Sequence, residues 1–265
     1  MQSDRNYRMK ASTISASGFK PVLYKLIGVG FWLTVWEIAA RIINIRFIFP
    51  TVTDTLSSLL NGIATSDFWL SIAMTLVRIV LGFTLGVALG ITFALLSLLP
   101  AVKHLVSPIV TVARTIPVAS FIMILWLLLS DPFIPTLIAL LMVFPVVWQS
   151  AYDSASNAPT ELREVCDMYD FSSKKRLTYL TIPSMVKGTL PAVITASGLA
   201  WKAGVAAEII TYTKNSIGKN IAEAKNLIEG ADLFAWTAVV ILFSIAVETM
   251  IRALSRKAAG VWEYQ

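Results

Sequence analysis

Three charges in otherwise apolar surroundings are the residues with chemistry to explain: Arg78, Lys202 and Glu208. A charge at such a place is costly unless it is buried in protein or faces water. Beside an aqueous pathway, Lys202 would favour an anionic or polar solute. The alternative is an ammonium paired with a carboxylate of a neighbouring helix, such as Glu37 or Glu248. Lys202 and Glu208 are six residues apart, about 240° around a helix axis, so they do not neutralise each other. Trp201 and Glu208, seven apart, share a face. Glu208 lies near the end of its apolar segment, where water could simply reach it. Arg78 either contacts solute, snorkels, or pairs with Asp67 or Glu37.

A second group is the polar stretch from Tyr152 to Thr181, set between apolar segments. Its candidate docking residues are Glu161, Arg163, Glu164, Asp167 and Asp170, with Pro183 at its far edge. Glu161 to Asp170 is expected to form a short helix with Thr160 as N-cap. Asp170 falls where that helix should stop, and Asp tolerates the left-handed conformation a stop often needs. Ser172 or Ser173 would cap a second helix through Leu180, and Pro183 would start the next apolar helix. The chain carries no phosphate-binding loop. Ile217-Gly-Lys-Asn220 comes nearest and lacks both the first glycine at the required spacing and the hydroxyl. No catalytic set and no cofactor are expected. His104 is the single histidine and Cys166 the single cysteine, which excludes an intrachain disulfide and argues against a metal site.

The elements that hold these residues follow from composition. Of 265 residues, 56% are hydrophobic and 14% charged, against about 45–50% and 25% in soluble domains. The apolar residues are concentrated in runs near the ~20 residues that cross a bilayer core. The expected fold class is all-α and polytopic, with six spans: 22–43, 71–99, 116–129, 133–151, 183–210 and 232–254. The surrounding medium is then the lipid bilayer, and the net charge of +6 reports topology rather than nucleic-acid binding. With the N-terminus inside, the inner segments carry fifteen Lys and Arg and the outer segments five, which favours two cytoplasmic termini and a cytoplasmic polar stretch. The expected organisation is a tail over 1–21, a membrane unit over 22–257 holding the docking segment 160–183, and a tail over 258–265. Thr53 to Gly62 reads as a short amphipathic helix capped by Thr53 or Asp54. Ser130-Asp-Pro132 reads as a turn. Pro117 and Pro145 would mark either flexing points or kinks that shape packing.

Gly82, Gly86 and Gly90 fall at i, i+4 and i+8, and Ala196, Ala200, Ala203 and Ala207 form a similar stripe. Small residues at this spacing let helices approach closely, within one subunit or between two.

The polar stretch resembles the cytoplasmic coupling motif of ATP-binding-cassette importer permeases: Glu-Ala-Ala, three residues, Gly, nine residues, Ile-x-Leu-Pro. Here Glu164, Asp170, Leu180, Ile182 and Pro183 keep that spacing, while Val165, Cys166 and Asp170 depart from its alanines and glycine. Ile48-Phe-Pro-Thr51, Arg78-Ile-Val-Leu-Gly-Phe83, Arg114-Thr-Ile-Pro117 and Gly198-Leu-Ala-Trp-Lys-Ala-Gly-Val-Ala-Ala-Glu208 are similar to the sulfonate, taurine, nitrate and bicarbonate permeases. The resemblance implies a type I importer permease fold in a bacterial cell membrane, acting in a dimer. It also implies one ATPase subunit docked per copy, two per complex, and an extracytoplasmic solute-binding protein facing the loop Thr211 to Gly230. The implied function is ATP-driven import of a small solute, either an organic or inorganic anion or, as in related permeases, a thiamine precursor or other nitrogenous solute. Two other classes stay open on the sequence: an ion-coupled secondary transporter using Glu37, Glu208 and Glu248, for which no internal repeat is found, and a membrane scaffold.

Overall fold

The computed structural model describes residues 19–129 and 132–263. The N-terminal tail up to residue 18, Ser130 and Asp131 of the expected turn, and the last two residues lie outside it. Among the described residues every regular element is helical. Among the described residues, five helical segments are long and apolar enough to cross a membrane, and a sixth span results when one bent pair is taken together.

Helix α1 (Phe19–Ile43) exposes apolar residues around most of its circumference, Trp32, Ile38 and Ile42 among them. Such a surface suits lipid. Its C-terminal end is tied down by polar groups. Trp36 Nε1–H donates to the Pro50 carbonyl at 3.1 Å, and the Glu37 carboxylate accepts Val52 N–H at 2.8 Å. Glu37 also pairs with Arg41, so it is not the partner of Arg78 or Lys202.

Helix α2 (Val52–Ile63) is the expected amphipathic helix, but Thr51 caps it. Its Oγ1 accepts Asp54 N–H at 3.1 Å, and the Asp54 carboxylate accepts Thr51 N–H at 3.4 Å. This reciprocal box satisfies two N-terminal donors at once and places Asp54 in the first turn, where a negative charge is favoured. Ser58 then donates to Asp232, joining α2 to the last helix.

Helix α3 (Ser66–Leu96) is capped by Thr65 and starts one turn earlier than the apolar run suggests. Helix α4 (Pro100–Thr115) passes through Pro108 unbroken. Its axis turns by 104° into α5 (Val118–Leu129). Pro117 is the cause: it has no N–H to continue the helix, and it drives Ile116 to an extended ψ of 128°. The expected third span is therefore this broken pair. Pro145, by contrast, sits buried inside an unbroken α6 (Ile134–Ser156).

Helix α6 is the centre of the bundle, packed along α3 on one side and α9 on the other. Its span is 56% buried, against 6% for α1 and 11% for the last helix. The glycine stripe explains the α3–α6 contact. A Cβ on Gly82 would lie 2.3 Å from the Thr136 carbonyl oxygen, and one on Gly90 2.9 Å from Val147 Cβ. The alanine stripe is likewise spent inside the subunit. Ala196 and Ala200 join the α3–α6 core, while Ala203 and Ala207 pack against Ile122, Ile134 and Ile138 of α5 and α6.

After α6 come α7 (Thr160–Met168) and α8 (Ser173–Arg176), a π-turn over Leu177–Thr181, and α9 (Ile182–Thr211). Pro183 does not open a new helix. The chain is helical from Ser173 to Thr211. The π-turn, in which Ile182 N–H reaches back to the Leu177 carbonyl, loosens the ladder where the proline ring would otherwise press on it. Helices α10 (Ile217–Asn226) and α11 (Gly230–Glu263) complete the chain.

Candidate functional site

The polar stretch forms a compact hairpin at one end of the bundle. Helix α7 stops at a left-handed Asp170 with φ of 45°. Phe171 N–H bonds the Cys166 carbonyl at 2.9 Å and Asp170 N–H bonds the Asp167 carbonyl at 3.3 Å. This double pattern closes a helix C-terminus, and a contact between the flanking apolar residues accompanies it. That contact is present: Ala158, Cys166 and Leu180 are buried together with Phe171 against them.

Two arginines lock the hairpin. Arg176 pairs with Asp167 and donates Nε–H to the Phe171 carbonyl at 3.2 Å. Arg163 donates to the Ser156 carbonyl at the end of α6. The side chains left outward are Leu162, Val165, Met168 and Tyr169, with Glu161, Glu164 and Asp170 exposed around them. Leu162, Val165 and Tyr169 share one face of the helix, so the hairpin presents an apolar ridge flanked by acidic groups. Thr160 is the first helical residue rather than the cap, and Pro159 takes the cap position with no side-chain hydrogen bond.

At the opposite end lies a buried ion pair. Arg78 Nη1 is 3.3 Å from Glu208 Oε1, with Glu208 fully buried and Arg78 nearly so. Arg78 thus pairs with neither Asp67 nor Glu37, and Glu208 is not wet. The second oxygen of Glu208 accepts the Thr75 hydroxyl at 2.9 Å and Gly218 N–H at 3.3 Å. Arg78 also donates to the carbonyls of Asn215, at 3.1 Å, and Lys214, at 3.0 Å. Thr75 in turn accepts Ile217 N–H at 3.0 Å. Gly218 is required there, because a Cβ would lie 2.4 Å from Glu208 Cβ. Thr75 and Gly218 were not singled out by the sequence reading. The available signal was the polar row Ser71, Thr75 and Arg78, at i, i+4 and i+7 on one face of an apolar helix.

Trp201 is buried and donates its indole N–H to the Val240 carbonyl at 3.0 Å, so it anchors α9 to α11. Arg78, Trp201 and Glu208 therefore belong to the packed interior of this chain, and they line no open surface of it. Lys202 stands apart. It is exposed on α9, and among the described residues no carboxylate pairs with it, neither Glu37 nor Glu248. Glu248 is taken by Arg252. Pro191, Thr195, Gly198 and Lys202 fall within about 60° of one another around α9. A Cβ on Gly198 would meet nothing within 4 Å, so this face opens onto space. It is a small and polar face, unlike the exposed Ile241, Leu242 and Ile245 of α11.

Comparison with known proteins fits this arrangement. Residues 82–260 match the family described as binding-protein-dependent transport system inner membrane component. The chain is 26% identical over 238 residues to the taurine transport system permease protein of Escherichia coli (strain K12), covering 85% of this chain and 84% of that protein. It is 21% identical over 229 residues to the putative aliphatic sulfonates transport permease protein of Bacillus subtilis (strain 168), covering 85% and 82%. It is also 26% identical over 189 residues to the formylaminopyrimidine transport permease protein of Halalkalibacterium halodurans, covering 70% and 72%.

Proposed function

Because the chain belongs to the binding-protein-dependent transport system inner membrane component family and is a multi-pass permease of ATP-binding-cassette importers, we propose that it carries a small anion inward through a pathway between two copies of itself. An ATPase subunit on each copy powers the transport. The α7 hairpin is the power input. Its ridge of Leu162, Val165 and Tyr169, flanked by Glu161 and Glu164, is the surface an ATPase groove would grip. Arg163, Asp167, Asp170 and Pro183 act behind that ridge, fixing its angle to α6 and α9. Both termini and the hairpin are cytoplasmic on the charge count. The opposite end, with α2, α10 and the clefts around Asp232, then faces a solute-binding protein. One of these clefts encloses about 530 Å³ between Arg46, Asp54, Asn61 and Glu229.

The single observation that carries this reading is an exposed apolar ridge on a braced hairpin whose register matches the coupling motif. The solute class rests on the taurine and sulfonate relatives together with Lys202, which pairs with no carboxylate among the described residues, on the open face of α9. The formylaminopyrimidine relative keeps a nitrogenous solute as the second reading.

The test is uptake into proteoliposomes holding the permease, its ATPase and its binding protein, with taurine, an alkanesulfonate and a formylaminopyrimidine offered in turn. Val165→Asp should abolish ATP-dependent uptake and release the ATPase while the permease stays folded. Uptake that persists without ATP and stops when ion gradients collapse would reject the reading in favour of a secondary transporter.

A further inference from the structure

The loop between α9 and α10 is held in an unusual way. Tyr212 and Asn215 both have positive φ, 55° and 49°, a conformation that side chains other than glycine disfavour. Here four backbone groups are each satisfied by a buried side chain. The carbonyls of Lys214 and Asn215 accept from Arg78. The N–H groups of Ile217 and Gly218 donate to Thr75 and Glu208. Ser216 adds the N-cap of α10, accepting Lys219 N–H while donating to the Thr213 carbonyl. The loop thus contacts α3 and α9 through one charged knot, and Gly218 lies directly on the α9 backbone.

We propose that Arg78, with Glu208, is a positioning residue that makes the outer loop 212–217, α3 and α9 one mechanical unit, so that a load placed on the loop from outside moves α9. Glu208 is six residues from Lys202, about 9 Å along the helix axis. A force on the loop therefore reaches the open face of α9 without crossing a flexible joint. A guanidinium suits this role better than an ammonium, because its fixed fork serves two carbonyls and a carboxylate together. The inference rests on the proposed function for the source of the load, a docked solute-binding protein. The attachment of the loop itself does not depend on that reading.

The experiment uses the complete reconstituted complex and the double variant Arg78→Met/Glu208→Gln. That variant removes both charges together and leaves none buried alone. Two readouts are taken. One is the stimulation of ATPase activity by the binding protein over its basal rate. The other is labelling of Ile217→Cys by an impermeant maleimide in a Cys166→Ala background, since Ile217 is fully buried. Stimulation should fall by about tenfold, within the range that coupling between sites spans, with basal ATPase close to wild type. Labelling of Ile217→Cys should change from absent to rapid. A complex in which either readout stays unchanged overturns the proposal. Should the variant fail to assemble, hydrogen exchange over 212–218 in the wild-type complex decides. Protection equal to that of α9 supports the knot, and exchange at the rate of an open loop overturns it. A wild-type complex with no stimulation at all would count against the proposed function, while the labelling arm would still report on the knot.

Discussion

Val143 occupies the space that Gly86 leaves open: a Cβ on Gly86 would lie 2.7 Å from Val143 Cβ and 2.9 Å from its Cγ1. The contact sits in the middle of the α3–α6 pairing, with Gly82 over Thr136 below and Gly90 over Val147 above. Close backbone approach at three successive turns is what allows α6 to be buried between α3 and α9. Gly86→Leu should therefore force the helices apart. Overpacking of this kind costs about 1–3 kcal/mol, and folded yield in detergent should drop with it. The smaller Gly86→Ala should be relieved by Val143→Gly, which removes both the Cβ and the Cγ1 that the new methyl would meet. Thermal unfolding of the two single variants and the double variant should give a coupling of at least about 0.5 kcal/mol. Simple additivity would mean that the two residues do not share the contact.

The left-handed Asp170 yields a stability prediction of opposite sign. Asp170→Gly removes the Cβ penalty of that conformation and should stabilise the hairpin by up to about 1 kcal/mol. Asp170→Val places a β-branched side chain at positive φ and should destabilise it. Limited proteolysis between Met168 and Ser173 would rank the three proteins. A Gly variant cut faster than the parent would show that the Asp side chain contributes something the backbone geometry does not.

How much of this was legible beforehand depends on the range of the interaction. The spans follow from apolar run length, and the glycine spacing announced a close helix contact, because both are properties of one helix. The stop at Asp170 is also local, and it was anticipated. The partner of Arg78 was not, since Glu208 lies 130 residues away and the choice among Asp67, Glu37 and Glu208 depends on how whole helices are arranged. The bend at Pro117 and the π-turn before Pro183 show a subtler limit. Both are proline responses, yet one breaks the axis and the other is absorbed within a continuous helix. The difference lies in the backbone before each proline, extended at Ile116 and π-helical over Leu177–Thr181.

The capping box of α2 makes a pH prediction. Hydrogen bonding from the Thr51 side chain, and then from its backbone N–H, holds the Asp54 carboxyl below its ordinary value. A depressed folded pKa stabilises the protein fully above the unfolded value of about 3.9. That stabilisation is lost as pH falls through the folded value. Asp54→Asn should therefore unfold at a lower temperature than the parent near neutrality, and the gap should close in acid below about pH 4. A gap that stays constant across that window would mean that the charge of Asp54 contributes nothing to the cap.

Lys202 supplies the most direct test of the pathway. An ammonium within a span, exposed and without a carboxylate partner among the described residues, is costly against lipid. The same group beside water attracts anions. Its neighbours Thr195 and Gly198 are small or polar, which suits a wetted face and leaves room for a solute. In a complex of two copies, two such ammonium groups would border one pathway. Lys202→Gln should then lower uptake of a sulfonate at limiting concentration by about tenfold, the effect of losing about 1.4 kcal/mol of attraction. Lys202→Arg should keep most of it, and Lys202→Glu should lose more than the Gln variant by repelling the solute. Added salt should shrink the difference between parent and Gln variant if the attraction acts over several ångströms through water. Equal uptake by the Lys, Gln and Glu proteins would remove Lys202 from the pathway and leave that face of α9 to contact with another helix.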